Sequence, residues 1–107
     1  MNRPTRFYSK LQEKQVAKAL NGKVTANSGA TMWSKGDCYN DSWLIECKTC
    51  VEEKKSFSIK KEWLDKNKEE AFAMRKPYNA LAFRFSPDGE DYYIVDEKTF
   101  KRLMEVM

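Results

Sequence analysis

The sequence contains no histidine, and that absence removes several chemistries at once. A Ser-His-Asp or Cys-His nucleophile cannot be built, and no imidazole can serve as general base. Three cysteines make an odd count, and the start, Met1-Asn2-Arg3-Pro4, lacks the apolar segment of a secretory signal, so a disulfide framework is not expected. Cys47 and Cys50 form a C-x-x-C, but with no second pair and no histidine a closed zinc site lacks ligands. No apolar run is long enough to cross a bilayer. The expected location is cytoplasmic, or the host cytoplasm for a viral chain, with no membrane partner.

What is present is enough for one core. At 107 residues the chain reads as a single domain, 1–107, without internal repeats or low-complexity linkers. Any catalysis must rest on carboxylates, lysine, hydroxyls or a bound metal. The net charge of +4 is a weak pointer to nucleic acid, and its distribution says more. Lysine and arginine interleave with Phe7, Tyr8, Trp33, Tyr39 and Trp63. Acids gathered into one pocket would also leave the remaining surface more basic than the total.

A first helix is expected over residues 9–20, stopped by Asn21-Gly22. Glu13, Val16, Ala17 and Leu20 share its inner face, whereas Lys10, Lys14 and Lys18 form a separate stripe. A carboxylate among apolar residues needs a partner, which singles out Glu13. Lys23-Val24-Thr25-Ala26 reads as a short strand, a second surrounds Asp37-Cys38-Tyr39, and residues 42–49 form the clearest one. Alternation sends Leu44, Glu46 and Lys48 to one side and Trp43, Ile45 and Cys47 to the other. A second helix is expected from a Ser56 or Ser58 cap to about Met74, ended by Pro77. Strands over 79–85 and 92–95 flank the turn Ser86-Pro87-Asp88-Gly89. Asp96 should cap a last helix whose inward stripe is Phe100, Leu103, Met104 and Met107, either core or a dimer contact. The second helix is long enough to make the fourth strand parallel to the third. The expected class is α/β, a mixed sheet flanked by helices.

One constellation carries chemistry. Asp37 precedes Glu46 by nine residues, and Glu46-Cys47-Lys48 is an acid-x-lysine triplet ending an apolar strand. Two carboxylates from adjacent strands can hold Mg²⁺ through hard oxygens, with the Cys47 backbone carbonyl as a further ligand. Lys48, on the same side as Glu46, can orient water or stabilise developing negative charge. This donor set suits phosphodiester hydrolysis.

With Glu13, Asn27-Ser28-Gly29-Ala30, Lys35-Gly36-Asp37 and Ile45-Glu46-Cys47-Lys48 in this order, the chain resembles the PD-(D/E)XK nuclease superfamily. It is most similar there to the small Holliday-junction-resolvase type and related phage endonucleases. The resemblance covers roughly residues 9–85 and implies a restriction-endonuclease-like αβββαβ core with a terminal strand and helix added. It implies Asp37 and Glu46 as metal ligands, Lys48 as catalytic lysine, Glu13 as an auxiliary acid reaching the metal directly or through water, and Ser28 as a loop hydroxyl near the scissile phosphate. Gly36 stands where the family's proline would be. The implied activity is a Mg²⁺-dependent endodeoxyribonuclease, with Mn²⁺ able to substitute, selective for branched DNA and acting as a homodimer through residues 92–107. Arg3, Arg6, Lys10, Lys14, Lys18 and Lys35 would follow the DNA phosphates. Two alternatives stay open: a general nicking or repair nuclease, and a non-catalytic nucleic-acid-binding domain of the same fold.

Overall fold

The computed structural model describes residues 5–25 and 37–107. Arg3, Ser28, Trp33 and Lys35 lie outside the described residues. In chain order the elements are α1 (Thr5–Ala19), β1 (Lys23–Val24), β2 (Cys38–Tyr39), β3 (Trp43–Thr49), α2 (Lys61–Ala73), β4 (Tyr78–Arg84), β5 (Tyr92–Ile94) and α3 (Glu97–Glu105).

The end of α1 follows its sequence signal. Asn21 takes a left-handed φ of 55°, and the Gly22 and Asn21 N–H groups donate to the carbonyls of Ala17 (2.7 Å) and Lys18 (3.1 Å). This double closure satisfies carbonyls that the last helical turn leaves open. Gly22 then lies against β2 so closely that a Cβ there would clash with the Tyr39 carbonyl oxygen. Arg75 ends α2 in the same way, with φ 58° and bonds from Arg75 and Lys76 N–H to Phe72 and Ala71.

The strands lie in chain order, β1-β2-β3-β4-β5. All neighbours are antiparallel except β3 and β4, which α2 joins as parallel partners. The expected mixed sheet and crossover are therefore present. The rings of Trp43 and Tyr78, first partners of the parallel pair, stack with centroids 4.9 Å apart. Val16 and Ala17 of α1 pack with Cys38, Ile45, Cys47, Ala80 and Ala82. On the other face α2 packs against β3 and β4, and Asn67 Nδ2 donates to the Leu44 carbonyl. Leu44, Ile45 and Leu81 are almost fully buried, each contributing about 1.5–3 kcal/mol of hydrophobic stabilisation.

Two helix starts and the burial of one helix depart from expectation. The first helix begins at Thr5, earlier than residue 9. The second begins only after Lys60, which caps it without a side-chain bond. Ser56 and Ser58 do not cap it, because Phe57 between them leaves the helix path to stack on Phe83. The largest correction concerns α3. Asp96 does cap it, accepting from the Thr99 N–H at 2.8 Å, but the buried residue is Thr99. Phe100 and Met104 are 56% and 55% exposed, and Met107 is almost wholly exposed. The amphipathic stripe is real as a pattern but is not core: the Lys68–Asp96 ion pair (3.1 Å) holds the start of α3 beside α2, and Thr99 is what the helix buries.

Candidate active site

Asp37 stands directly before β2. Its N–H donates to the Ile45 carbonyl at 3.1 Å, and its Oδ2 accepts from the Cys47 N–H at 2.7 Å. The carboxylate is thus folded back along β3. A strand residue's N–H and C=O leave the backbone on one side, so the Cys47 carbonyl faces this same edge. Glu46 and Lys48 project toward α2 as alternation requires. The Lys48 Nζ is 3.8 Å from Glu46 Oε2 and 4.4 Å from the centre of the Trp63 ring.

Glu13 arrives from α1 and is half-buried; the Cys38 thiol donates to its backbone carbonyl at 3.1 Å. Desolvation, then the charge of Asp37, pushes the Glu13 carboxyl up to about 7, with Lys10 and Arg6 opposing. Glu46 also rises to about 7, through burial first and Asp37 second, against Lys48 and Lys66. Asp37 is raised by burial, opposed by its Cys47 N–H bond and by Lys48 and Lys66. The Asp37 charge therefore acts on one acid from each face of the sheet, Glu13 and Glu46. Crowding carboxylates in a poorly hydrated place disfavours their charged forms unless a cation is present.

Reasoning from sequence missed four neighbours of this site. Gln12, adjacent to Glu13, is fully buried. Its Nε2 donates to the Lys48 carbonyl (3.0 Å), the Ala82 carbonyl (3.3 Å) and Asp91 Oδ1 (3.0 Å). Asp91 in turn holds the buried Arg84 through bonds of 2.8 and 2.7 Å, so the β4–β5 turn, α1 and Lys48 are tied together. From α2 come Trp63, Lys66 and Glu70. Glu70 is buried, its charge acts on both Asp37 and Glu46, and its Oε1 has no hydrogen-bond partner. Their own three- and four-residue spacing, 63-66-70, was the available signal.

Among the described residues no group of three or more cysteine, aspartate or glutamate side chains is placed to hold a metal ion. Magnesium does not require one, since it keeps several waters and uses one or two carboxylates. The available donors are hard oxygens: Asp37, Glu46 and the Cys47 carbonyl. The unpartnered Glu70 oxygen adds negative potential nearby. The Cys38 and Cys47 thiols pair with each other at 3.8 Å inside the α1 face, and this pairing, with burial, pushes the Cys47 thiol well up and keeps it protonated. This set fits Mg²⁺ or Mn²⁺ and not a thiophilic ion. Of the expected phosphate-tracking residues, Arg6, Lys10, Lys14 and Lys18 are exposed on α1, and the first two are close enough to act on Glu13.

Comparison with protein-family models, curated proteins and solved structures returned no match. Among the described residues no helix is long and apolar enough to cross a membrane.

Proposed function

We propose that the chain is a Mg²⁺-dependent endonuclease hydrolysing DNA phosphodiester bonds, related to the PD-(D/E)XK superfamily. The observation that carries this reading is Asp37 within electrostatic range of both Glu13 and Glu46, with its carboxylate bonded to the Cys47 N–H and Lys48 against Glu46. Such crowding costs stability in a purely structural protein and becomes favourable once a divalent cation is bound. Asp37, Glu46 and the Cys47 carbonyl would hold the ion, which supplies charge neutralisation and an acidified water.

The chain's own groups have distinct tasks. The Cys47 N–H fixes Asp37, so that carboxylate is oriented before any ligand arrives. Lys48 carries its ammonium beside Glu46 and over Trp63, where it can donate to a phosphate oxygen as negative charge grows. Glu13, with its pKa near 7, is suited to accept a proton from a nearby water. Arg6 and Lys10 draw the phosphate backbone toward the same end of α1.

Within this reading we place branched DNA, such as four-way junctions, as substrate and a homodimer as the acting form. Two symmetric cuts need two sites, and Phe100 and Met104 on exposed α3 supply apolar surface for a twofold contact. The test is cleavage of four-way, flapped, duplex and single-stranded DNA with Mg²⁺ and with EDTA, alongside sedimentation. Metal-dependent cutting that favours branched substrates by a dimer is the expected result. No cutting of any substrate would remove the enzymatic reading, and a monomer cutting all forms equally would favour a general nuclease.

A further inference from the structure

Residues 54–61 read Lys54-Lys55-Ser56-Phe57-Ser58-Ile59-Lys60-Lys61, rich in lysine and free of acids. Up to Lys60 they form no helix or strand, yet the segment is fixed at defined points. The Lys54 N–H donates to the Phe85 carbonyl at 2.8 Å. Phe57 stacks on Phe83 with centroids 5.7 Å apart and an interplanar angle of 24°. Trp63 lies 6.3 Å from Phe57, and Phe83 has Phe85 at 5.3 Å and Tyr92 at 5.6 Å.

The aromatic row lies beside Lys48. Phe83 is the register partner of Lys48 across the parallel pair, and Tyr92 is the partner of Phe83. Strands are about 4.8 Å apart, so Tyr92 lies about 10 Å across the sheet from Lys48. Tyr92 is 46% exposed, so part of its ring is open to a partner. Lys60 reaches within 5.8 Å of the Trp63 ring centre.

Aromatic faces interleaved with cations match a single strand, whose bases stack while its phosphates meet lysines. Paired bases are already stacked within the duplex and offer no free face. A second copy is a poorer occupant, because it would bring its own Lys54–Lys61 segment against the first. We propose that Phe57, Phe83, Phe85 and Tyr92, rimmed by Lys54 and Lys60, form a stacking platform for unpaired DNA bases. The nuclease reading supplies the position of the scissile phosphate, and the platform adds a substrate feature: bases open near the cut.

Fluorescence anisotropy in EDTA tests this with the full chain and three labelled probes of equal phosphate count: oligothymidylate, its abasic counterpart and duplex. Oligothymidylate should bind at least tenfold more tightly than the abasic strand. Tyr92→Ala should weaken thymidylate binding roughly 5-fold to 150-fold, the range for one stacked base (about 1–3 kcal/mol), while leaving the abasic probe unchanged. Tyr92→Phe should retain binding, and Lys60→Gln should weaken both strands alike. Phe57→Ala should act as Tyr92→Ala does, but Tyr92, being exposed, keeps the test valid if Phe57→Ala unfolds. Equal affinity for thymidylate and abasic strands, or an inert Tyr92→Ala, overturns the platform. Self-association abolished by Tyr92→Ala, without base-dependent DNA binding, also overturns it and assigns the face to a second copy. Base-dependent binding with no cleavage on adding Mg²⁺ sinks the nuclease reading alone, and cleavage without base dependence sinks the platform alone.

Discussion

Glu13 and Glu46 are unusual among the acids of this chain because each carries a folded-state pKa of about 7, above the ordinary 4.5. An acid raised on folding favours the native state while protonated. Its contribution is complete below the ordinary carboxylate range and is lost as pH rises through about 7. In EDTA the melting temperature should therefore fall between pH 5 and pH 8, and the double substitution Glu13→Gln, Glu46→Gln should flatten that slope. Mg²⁺ should raise the melting temperature more at pH 8 than at pH 5, since its ligands must be deprotonated. A melting temperature that ignores both pH and Mg²⁺ in this window would contradict the assignment. At this scale the sequence was readable for Glu13, because a carboxylate among apolar helix positions is conspicuous. Gln12 was not, although adjacent inward positions on a helix reach different neighbours: Glu13 senses Asp37, and Gln12 bonds β3, β4 and Asp91.

Elements with strong local signals form where expected. The α1 stop needs Gly22 for the close approach to Tyr39, so Gly22→Ala should destabilise by ~1–3 kcal/mol, the cost of overpacking. Urea unfolding measures this, and an unchanged midpoint would show that β2 yields without cost. Where long-range packing decides, sequence signals misled. Ser56 and Ser58 look like caps, but stacking Phe57 on Phe83 outweighs another turn of helix. In α3 the apolar periodicity describes the helix and not whether a layer exists to receive it, so Phe100 and Met104 stay exposed. Trp63, Lys66 and Glu70 join the site only because α2 crosses over β3 and β4, a relation between distant segments that local spacing does not encode.

At the scale of the whole molecule, one five-stranded sheet brings α1 to one face and α2 to the other, with Asp37 at the edge between their acids. The same sheet extends from Lys48 through Phe83 to Tyr92, placing an aromatic row beside the charged centre. The central claim is that Asp37, Glu46 and Lys48 act on a phosphate and do not merely hold the fold. Single-turnover cleavage of a four-way junction, paired with anisotropy binding on the same samples, tests it most directly. For Asp37→Ala, Glu46→Ala and Lys48→Ala the account predicts a loss of at least about 100-fold in cleavage rate, the scale of removing one electrostatic stabiliser, with junction binding and folding retained. Variants that cut at the wild-type rate, or that lose cleavage only in step with DNA binding, would contradict it.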